Sequence, residues 1–222
     1  MSKIKDKSKY LAITILIGGK STRFGSDKGL FQISGKPLIS YQLETLAKLN
    51  YDIFLVAHSK QQIQKYINKI DIKNIMAFII DEQYIDISKI EEQTPIIGLY
   101  SAFKELSKLG YKKSLVLPCD TPLVQKNVIE FLILNCKNYD CCIPQWENGF
   151  LEPLLAIYPI KKALHSTEKN IKRQNLKLVN IIDKTWKINY LSIENEIRPL
   201  DNKFLTFINI NKISDIDKIK KK

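Results

Sequence analysis

The chain has 222 residues, 45% of them hydrophobic, and carries 35 Lys and Arg against 23 Asp and Glu for a net charge of +12. That length suits one generous domain with a full apolar core, which excludes a disulfide- or metal-stapled miniprotein, a collagen-like fibre and a disordered chain. The surplus charge sits in residues 1–9 (+3), 160–187 (+6) and 211–222 (+3), only Arg23, Arg173 and Arg198 are arginine, and no aromatic-interleaved basic stripe accompanies the lysines, so the balance reads as compositional drift and not as a nucleic-acid partner.

Residues 1–10 read as a basic tail, followed by the short apolar run Leu11 to Ile17 that ends at Gly18-Gly19. Lys3 to Lys9 before that run imitates a signal peptide, but cleavage there destroys the glycine loop. No run approaches the roughly 18 apolar residues of a membrane span, so the expectation is a cytoplasmic protein without a membrane partner. Ile39, Leu43, Leu46 and Leu49 mark a helix opening after Lys36-Pro37, where proline's missing N–H costs nothing. Ile53 to Ala57 is a second strand. A helix through Ile63, Tyr66, Ile67 and Ile70 then leads to Ile75 to Ile80, expected as a third buried strand. Pro95 opens a helix with Leu99, Tyr100, Phe103 and Leu106 on one side, before a strand from Ser114 to Leu117. Val128, Ile129 and Leu132 mark the next helix, and Asp140 to Ile143 the next strand.

Beyond Gln145 the regularity weakens. Leu151 to Tyr158 reads as a strand interrupted by Pro153, residues 160–187 as a polar, basic stretch whose Lys161, Lys162, Lys172 and Arg173 form a solvated face and not a landing strip for an anionic substrate or partner, and Phe204 to Ile210 as a late strand before a short terminal helix. Apolar strands alternating with amphipathic helices predict a mostly parallel sheet covered on both faces, a three-layer α/β domain over 11–222. Ligands of such sheets bind beyond the carboxyl ends of the strands. Cys119, Cys136, Cys141 and Cys142 lack paired CxxC spacing, and His58 and His165 lack ligand spacing, so reduced thiols are expected. Cys119 reads as a small buried thiol and not a nucleophile.

The loop Gly18-Gly19-Lys20-Ser21-Thr22-Arg23-Phe24-Gly25-Ser26-Asp27-Lys28 follows a buried strand directly. Glycine lets backbone N–H groups approach a ligand, Arg23 can fork onto phosphate oxygens, and Lys28 supplies a point charge, so the loop reads as a phosphate cradle and not as a plain turn. Its spacing is neither a Walker loop nor G-x-G-x-x-G. Asp120 lies just past the fourth strand, where a hard carboxylate suits Mg²⁺ bridging phosphates; the alternative is a turn residue capping the helix from Gln125. Glu152 is either a metal or substrate group or a turn before Pro153.

Ile17 to Lys28 followed by Gly35-Lys36-Pro37-Leu38 resembles the nucleotidyltransferase signature, and the Gly-Gly-x-Ser-x-Arg-x-Gly-x-Asp-Lys form most resembles the molybdenum cofactor guanylyltransferase family. The resemblance continues at Thr94-Pro95-Ile96-Ile97-Gly98, Pro118-Cys119-Asp120-Thr121-Pro122, Glu152-Pro153-Leu154 and Phe207-Ile208-Asn209-Ile210-Asn211, spanning residues 11–216. It implies a Rossmann-like sheet of the nucleotide-diphospho-sugar transferase type, with a nucleotide-binding half (11–143) and an acceptor-binding half (144–222). It further implies a nucleotide held by Ile17, Gly18, Gly19, Arg23 and Lys28, guanine read by His58 and Asp81, Mg²⁺ on Asp120, and the pterin acceptor near Asn209 and Asn211. Arg23, Lys28 and Asp120 form the expected catalytic set. The implied reaction moves GMP from GTP to the terminal phosphate of molybdopterin or molybdenum cofactor and releases pyrophosphate. A molybdenum insertion protein and recipient molybdoenzymes are the implied onward partners. The sequence departs from the family pattern with His58 for Asn, Thr94 for Gly, Glu152 for His, and Lys-Ile-Ser-Asp after Asn211. CTP, another phosphorylated acceptor, or a non-catalytic nucleotide-binding role therefore stand as alternatives.

Overall fold

The computed structural model describes residues 9–18, 27–81, 94–210 and 215. Its main sheet has seven strands: β1 (Leu11–Leu16), β4 (Asp52–Ala57), β5 (Ile75–Ile80), β6 (Lys113–Pro118), β7 (Cys141–Gln145), β8 (Ala156–Pro159) and β9 (Ile188–Ser192), in the order β5-β4-β1-β6-β8-β7-β9. β5, β4, β1 and β6 are parallel, β8 runs antiparallel to β6 and β7, and β9 is parallel to β7. A separate hairpin pairs β2 (Gln32–Ile33) with β3 (Lys36–Pro37) through Ser34 and Gly35, both at positive φ, as a tight two-residue turn requires.

Side-chain alternation along β1 builds two cores. Leu11, Ile13, Ile15 and Ile17 face α1 (Leu38–Ala47), α2 (Lys60–Ile67) and α4 (Lys126–Asn135) through Leu43, Leu46, Tyr66, Val128 and Leu132. Ala12 and Leu16 face α3 (Pro95–Lys108) and α5 (Ile160–Lys172) through Leu99, Phe103, Leu106, Ile160 and Ala163. The result is the mostly parallel three-layer α/β sheet expected from the sequence.

Four sequence expectations change. β5 is an edge strand and not a buried one: Met76 is 56% exposed and Ile80 38%. Lys161, Lys162, Lys172 and Arg173 form a solvated face as expected, but the weakly patterned stretch that carries them holds a regular helix, α5, which buries Ile160, Ala163, Ser166, Thr167, Asn170 and Ile171 on its other side. Half of that buried stripe is small polar residues, so hydropathy hides it; Ser166 Oγ donates to Ile181 O at 2.7 Å and Asn170 Nδ2 to Asn180 O at 2.9 Å. β9 was absent from the reading because an edge strand of Ile-Asn-Tyr-Leu-Ser has no apolar run.

The fourth change is at Phe204 to Ile210, which is not a strand. The buried Asp201 carboxylate accepts from Leu205 N at 2.9 Å and Thr206 N at 2.8 Å and winds Leu205–Phe207 into a 3₁₀ turn. Side-chain capping thus competes successfully with a sheet ladder. The interruption expected at Pro153 is present: the Glu152 to Leu155 turn separates a bridge at Leu151 from β8. The expected terminal helix lies largely outside the described residues.

Asn170→Ala removes the amide that ties α5 to the following loop. It is expected to destabilise the protein by about 1–3 kcal/mol, whereas exposed Lys161→Ala stays within about 0.5 kcal/mol, both read from urea midpoints.

Candidate active site

The chain leaves β1 toward β4 and β5, and leaves β6 toward the other half of the sheet, so the carboxyl ends of β1 and β6 form the topological switch point. Leu16 pairs with Pro118, and Cys119 N donates to Leu16 O at 3.1 Å, so the two loops leave the sheet side by side. Lys28 and Asp120 meet across that crevice: Lys28 Nζ donates to Asp120 Oδ2 at 2.5 Å, with side chains 18% and 17% exposed. Asp120 does not cap α4, whose N-cap is Gln125; Gln125 N instead donates to Thr206 Oγ1 at 3.1 Å. Asp120 Oδ1 is buried and makes no hydrogen bond among the described residues.

A carboxylate oxygen held without a donor at a strand end suits a hard cation. Among the described residues no three His, Cys, Asp or Glu side chains cluster to cage a metal. A hard cation such as Mg²⁺ takes one or two carboxylates and otherwise keeps water and substrate phosphate oxygens, so Asp120 Oδ1 is the atom that would hold it.

Lys28 is placed by a network the sequence reading missed. Asp27 caps the 3₁₀ turn Lys28–Leu30 by accepting from Gly29 N at 3.2 Å, and its carboxylate also accepts from Tyr66 OH at 2.5 Å and from Gln62 Nε2. Gln62 is 3% exposed; its Nε2 also donates to Ile17 O at 2.8 Å, and its Oε1 accepts from His58 N at 2.9 Å. One amide therefore joins the end of β1, the start of α2 and the residue before Lys28. Gly29 is required by close approach, since a Cβ there would lie 2.3 Å from Tyr66 OH. The available signal was Ser59-Lys60-Gln61-Gln62, a capping-box spacing: Ser59 Oγ accepts from Gln62 N at 3.1 Å, while the Gln62 side chain reaches one residue further back, to His58 N.

On the other side of Gly18, the carboxyl ends of β4 and β5 and the start of α3 carry further unsatisfied polar groups. Asp81 Oδ1, His58 Nδ1 and Thr94 Oγ1 are all buried without a hydrogen bond among the described residues. A Cβ on Gly98 would crowd Asp81 Oδ1 at 3.2 Å, whereas one on Gly18 would make only ordinary contact with Asp81 Oδ2 at 3.5 Å, so it is Gly98 that leaves room around this carboxylate. Burial pushes the Asp81 carboxyl up from 3.8 to about 7. The structure thus gathers Ile17, Gly18, His58 and Asp81 as the sequence grouped them and adds Thr94 and Gly98. Gly18 differs in one respect: its N–H donates to Val56 O at 3.2 Å, so it does not point at a phosphate.

Beyond Asp120 a cavity of about 210 Å³ is lined by Asp120, Glu152, Leu178, Phe207 and Asn209 among others. Ile210 N donates to Asp120 O at 2.9 Å and the Ile210 side chain is buried against Ile33 and Leu38, which sets exposed Asn209 at the cavity beside Asp120. Glu152 Oε1 accepts from Trp146 Nε1 at 2.7 Å. Cys119 is buried, and desolvation, followed by the nearby Asp120 charge, pushes its thiol well up, as expected for an inert thiol. Gly19, Arg23 and Asn211 lie outside the described residues.

Gln62→Leu keeps the shape but strips Ile17 O, Asp27 and His58 N of this partner. A loss of roughly 2–4 kcal/mol in urea unfolding is expected, against a negligible effect for exposed Gln61→Ala. Asp81 gives a pH signature. Its folded pKa is raised, so between about pH 3.8 and 7 the native state binds more protons than the unfolded one and its contribution to stability declines as pH rises. Relative to wild type, Asp81→Asn should therefore gain on the order of 1–3 kcal/mol in unfolding free energy on going from about pH 4 to about pH 8.

The chain matches the model of the MobA-like NTP transferase domain over residues 13–181. It is 32% identical over 208 residues to a Pyrococcus horikoshii protein named probable molybdenum cofactor guanylyltransferase, covering 93% of this chain and 97% of that one. A Methanocaldococcus jannaschii protein of the same name is 31% identical, with 93% and 96% covered. The crystal structure of molybdopterin-guanine dinucleotide biosynthesis protein A from Archaeoglobus fulgidus superposes with a TM-score of 0.73 over 95% of this chain and 97% of that one, at 24% identity, and so shares the fold. The 4-diphosphocytidyl-2C-methyl-D-erythritol synthase of Anaerococcus prevotii shares it too, with a TM-score of 0.62 at 14% identity over 94% and 93%. Among the described residues no helix is long and apolar enough to cross a membrane. With a family model covering most of its length and relatives above 30% identity end to end, this chain belongs to the MobA-like NTP transferase family and is a nucleotidyltransferase.

Proposed function

We propose that the protein transfers GMP from GTP to the terminal phosphate of molybdopterin, or of its molybdenum form, and releases pyrophosphate. The observation that carries this reading is the Lys28–Asp120 pair at the switch point, with Asp81, His58 and Thr94 atoms that lack partners among the described residues on one side and a cavity of about 210 Å³ on the other. The names of the relatives support the same substrates.

In this reading residues 11–143 bind the nucleotide and 144–222 the acceptor. Guanine presents a ring N–H and an exocyclic amino group side by side, and Asp81 accepts both as a carboxylate. His58 lies beside it, packing on the base or donating to its carbonyl. Gly19, Arg23 and Lys28 bind the phosphates. An oxygen of the acceptor phosphate attacks the α-phosphorus, the bond to the β-phosphate oxygen breaks, and pyrophosphate leaves. The acceptor is already anionic, so positioning and charge neutralisation suffice without a general base. Asp120 Oδ1 would hold Mg²⁺, which when bound neutralises charge developing on the phosphates. Lys28 holds Asp120 Oδ2 and orients that carboxylate, and Asn209 and Asn211 contact the acceptor. A molybdenum insertion protein and recipient molybdoenzymes then take the product.

The test is pyrophosphate release by the purified protein with Mg²⁺, molybdopterin and each NTP in turn. GTP is expected to exceed CTP by roughly 10²-fold, since a site built on paired hydrogen bonds rejects a base that leaves them unmade. Asp120→Asn should retain the fold and lose nearly all turnover. Lys28→Ala should weaken GTP far more than guanosine, and Asp81→Asn should shrink the GTP preference. A preference for CTP defeats the guanine assignment, and no release with any nucleotide defeats the transferase reading.

A further inference from the structure

We propose that the cavity beyond Asp120 is a ring pocket for a 2-amino-4-oxopteridine, and that Glu152 is the residue that reads its donor edge. The proposal rests on the reading above, in which the acceptor is a pterin phosphate, and adds the side chain that selects the pterin.

The cavity has a fixed carboxylate in apolar surroundings. Pro153, Leu154, Leu178 and Phe207 form much of its wall, while Glu152, Thr206 and Asn209 supply polar groups beside Asp120. A flat heteroaromatic ring suits such walls; a sugar would leave hydroxyls unpaired against leucine and proline. Glu152 is held from several directions. Trp146 Nε1 donates to its Oε1 at 2.7 Å, its own N–H donates to Pro144 O at 3.0 Å, and its carbonyl accepts from Leu155 N at 2.9 Å. Trp146 is itself set by Phe204 and Phe207, with ring centroids 5.6 and 5.3 Å away. Glu152 Oε2 takes no hydrogen bond among the described residues.

A preoriented carboxylate with acceptor capacity to spare matches two parallel N–H groups and repels a phosphate. The 2-amino group and N3–H of a pterin are such a pair, so the ring's donor edge goes to Glu152. The acceptor phosphate then lies at the opposite end of the cavity from Glu152, toward the Lys28 ammonium and the cation that Asp120 would hold. Trp146 is a positioning residue, because it acts through Glu152.

The experiment measures binding of free pterin and of lumazine, which carries oxygen where pterin has the 2-amino group, by titration calorimetry with Mg²⁺ and saturating GTP. Filling the nucleotide site first matters because pterin and guanine share the same donor edge. Pterin should bind roughly tenfold or more tighter than lumazine. Glu152→Gln should cut that ratio below about threefold with GTP affinity unchanged, and Trp146→Phe, which removes only the N–H, should lower it partway. A ratio unchanged in Glu152→Gln overturns the proposal, as does pterin binding that GTP abolishes competitively. GTP binding without a pterin preference overturns the pocket and leaves the transferase standing. A pterin preference that depends on Glu152 in a protein that fails to bind GTP supports the pocket and overturns the transferase reading.

Discussion

Lys28 and Asp120 are 92 residues apart in the chain and meet because β1 and β6 are parallel neighbours with Leu16 opposite Pro118. Every other part of the candidate site depends on that register. Shifting the pairing by one residue turns side chains to the opposite face, separating the loop after β1 from the turn after β6 and exchanging the two cores. The register is held by burial on both sides, with Ile13, Ile15, Leu115 and Leu117 in one core and Ala12, Leu16 and Val116 in the other. Thr14 and Ser114, buried on the same face as Ala12, Leu16 and Val116, share a hydrogen bond of 2.7 Å.

Around this centre the polar groups divide into two kinds. Gln62, Asp27, Asp201 and Thr206 are buried or half-buried with their hydrogen bonds made to neighbouring chain, and they fix loops. Asp120 Oδ1, Asp81 Oδ1, His58 Nδ1 and Thr94 Oγ1 are buried without hydrogen bonds among the described residues, and they lie just past the ends of β6, β5 and β4 and at the start of α3. A buried polar atom left unpaired costs stability, so their concentration at the switch point is what a site built for a ligand requires. The raised Asp81 carboxyl expresses the same cost as a proton retained to about pH 7.

The second half of the chain contributes through small anchors. Ile210 is the link: its N–H donates to Asp120 O while its side chain seats against Ile33 and Leu38 of the hairpin and α1. Asp201 winds the preceding turn and Trp146 fixes Glu152. Residues in 146–210 thereby line the cavity beside the Asp120 carboxylate.

What the sequence determined by itself is what local pattern encodes. Continuous apolar runs such as Ile53 to Ala57, and helix stripes such as Leu99, Phe103 and Leu106, identify a parallel α/β sheet, because period and burial are written in adjacent residues. Lys28 and Asp120 were legible for the same reason, since each belongs to a short motif that follows a strand: Asp120 lies just past β6, and Lys28 ends the glycine-containing loop after β1. The tertiary structure alone decided the rest. Strand order made Ile75–Ile80 an edge and admitted polar Ile188–Ser192 to the sheet, because an edge needs a neighbour's backbone more than an apolar run. The buried stripe of α5 is half Ser, Thr and Asn, whose fitness for a core depends on partners such as Ile181 O and Asn180 O that no local pattern reveals. Gln62 could be read from sequence as a cap, but its grip on Ile17, Asp27 and His58 exists only where three elements converge. The Gly18 N–H, free to bind phosphate in the sequence reading, is taken by Val56 O because the parallel pairing of β1 with β4 carries past the strand's end.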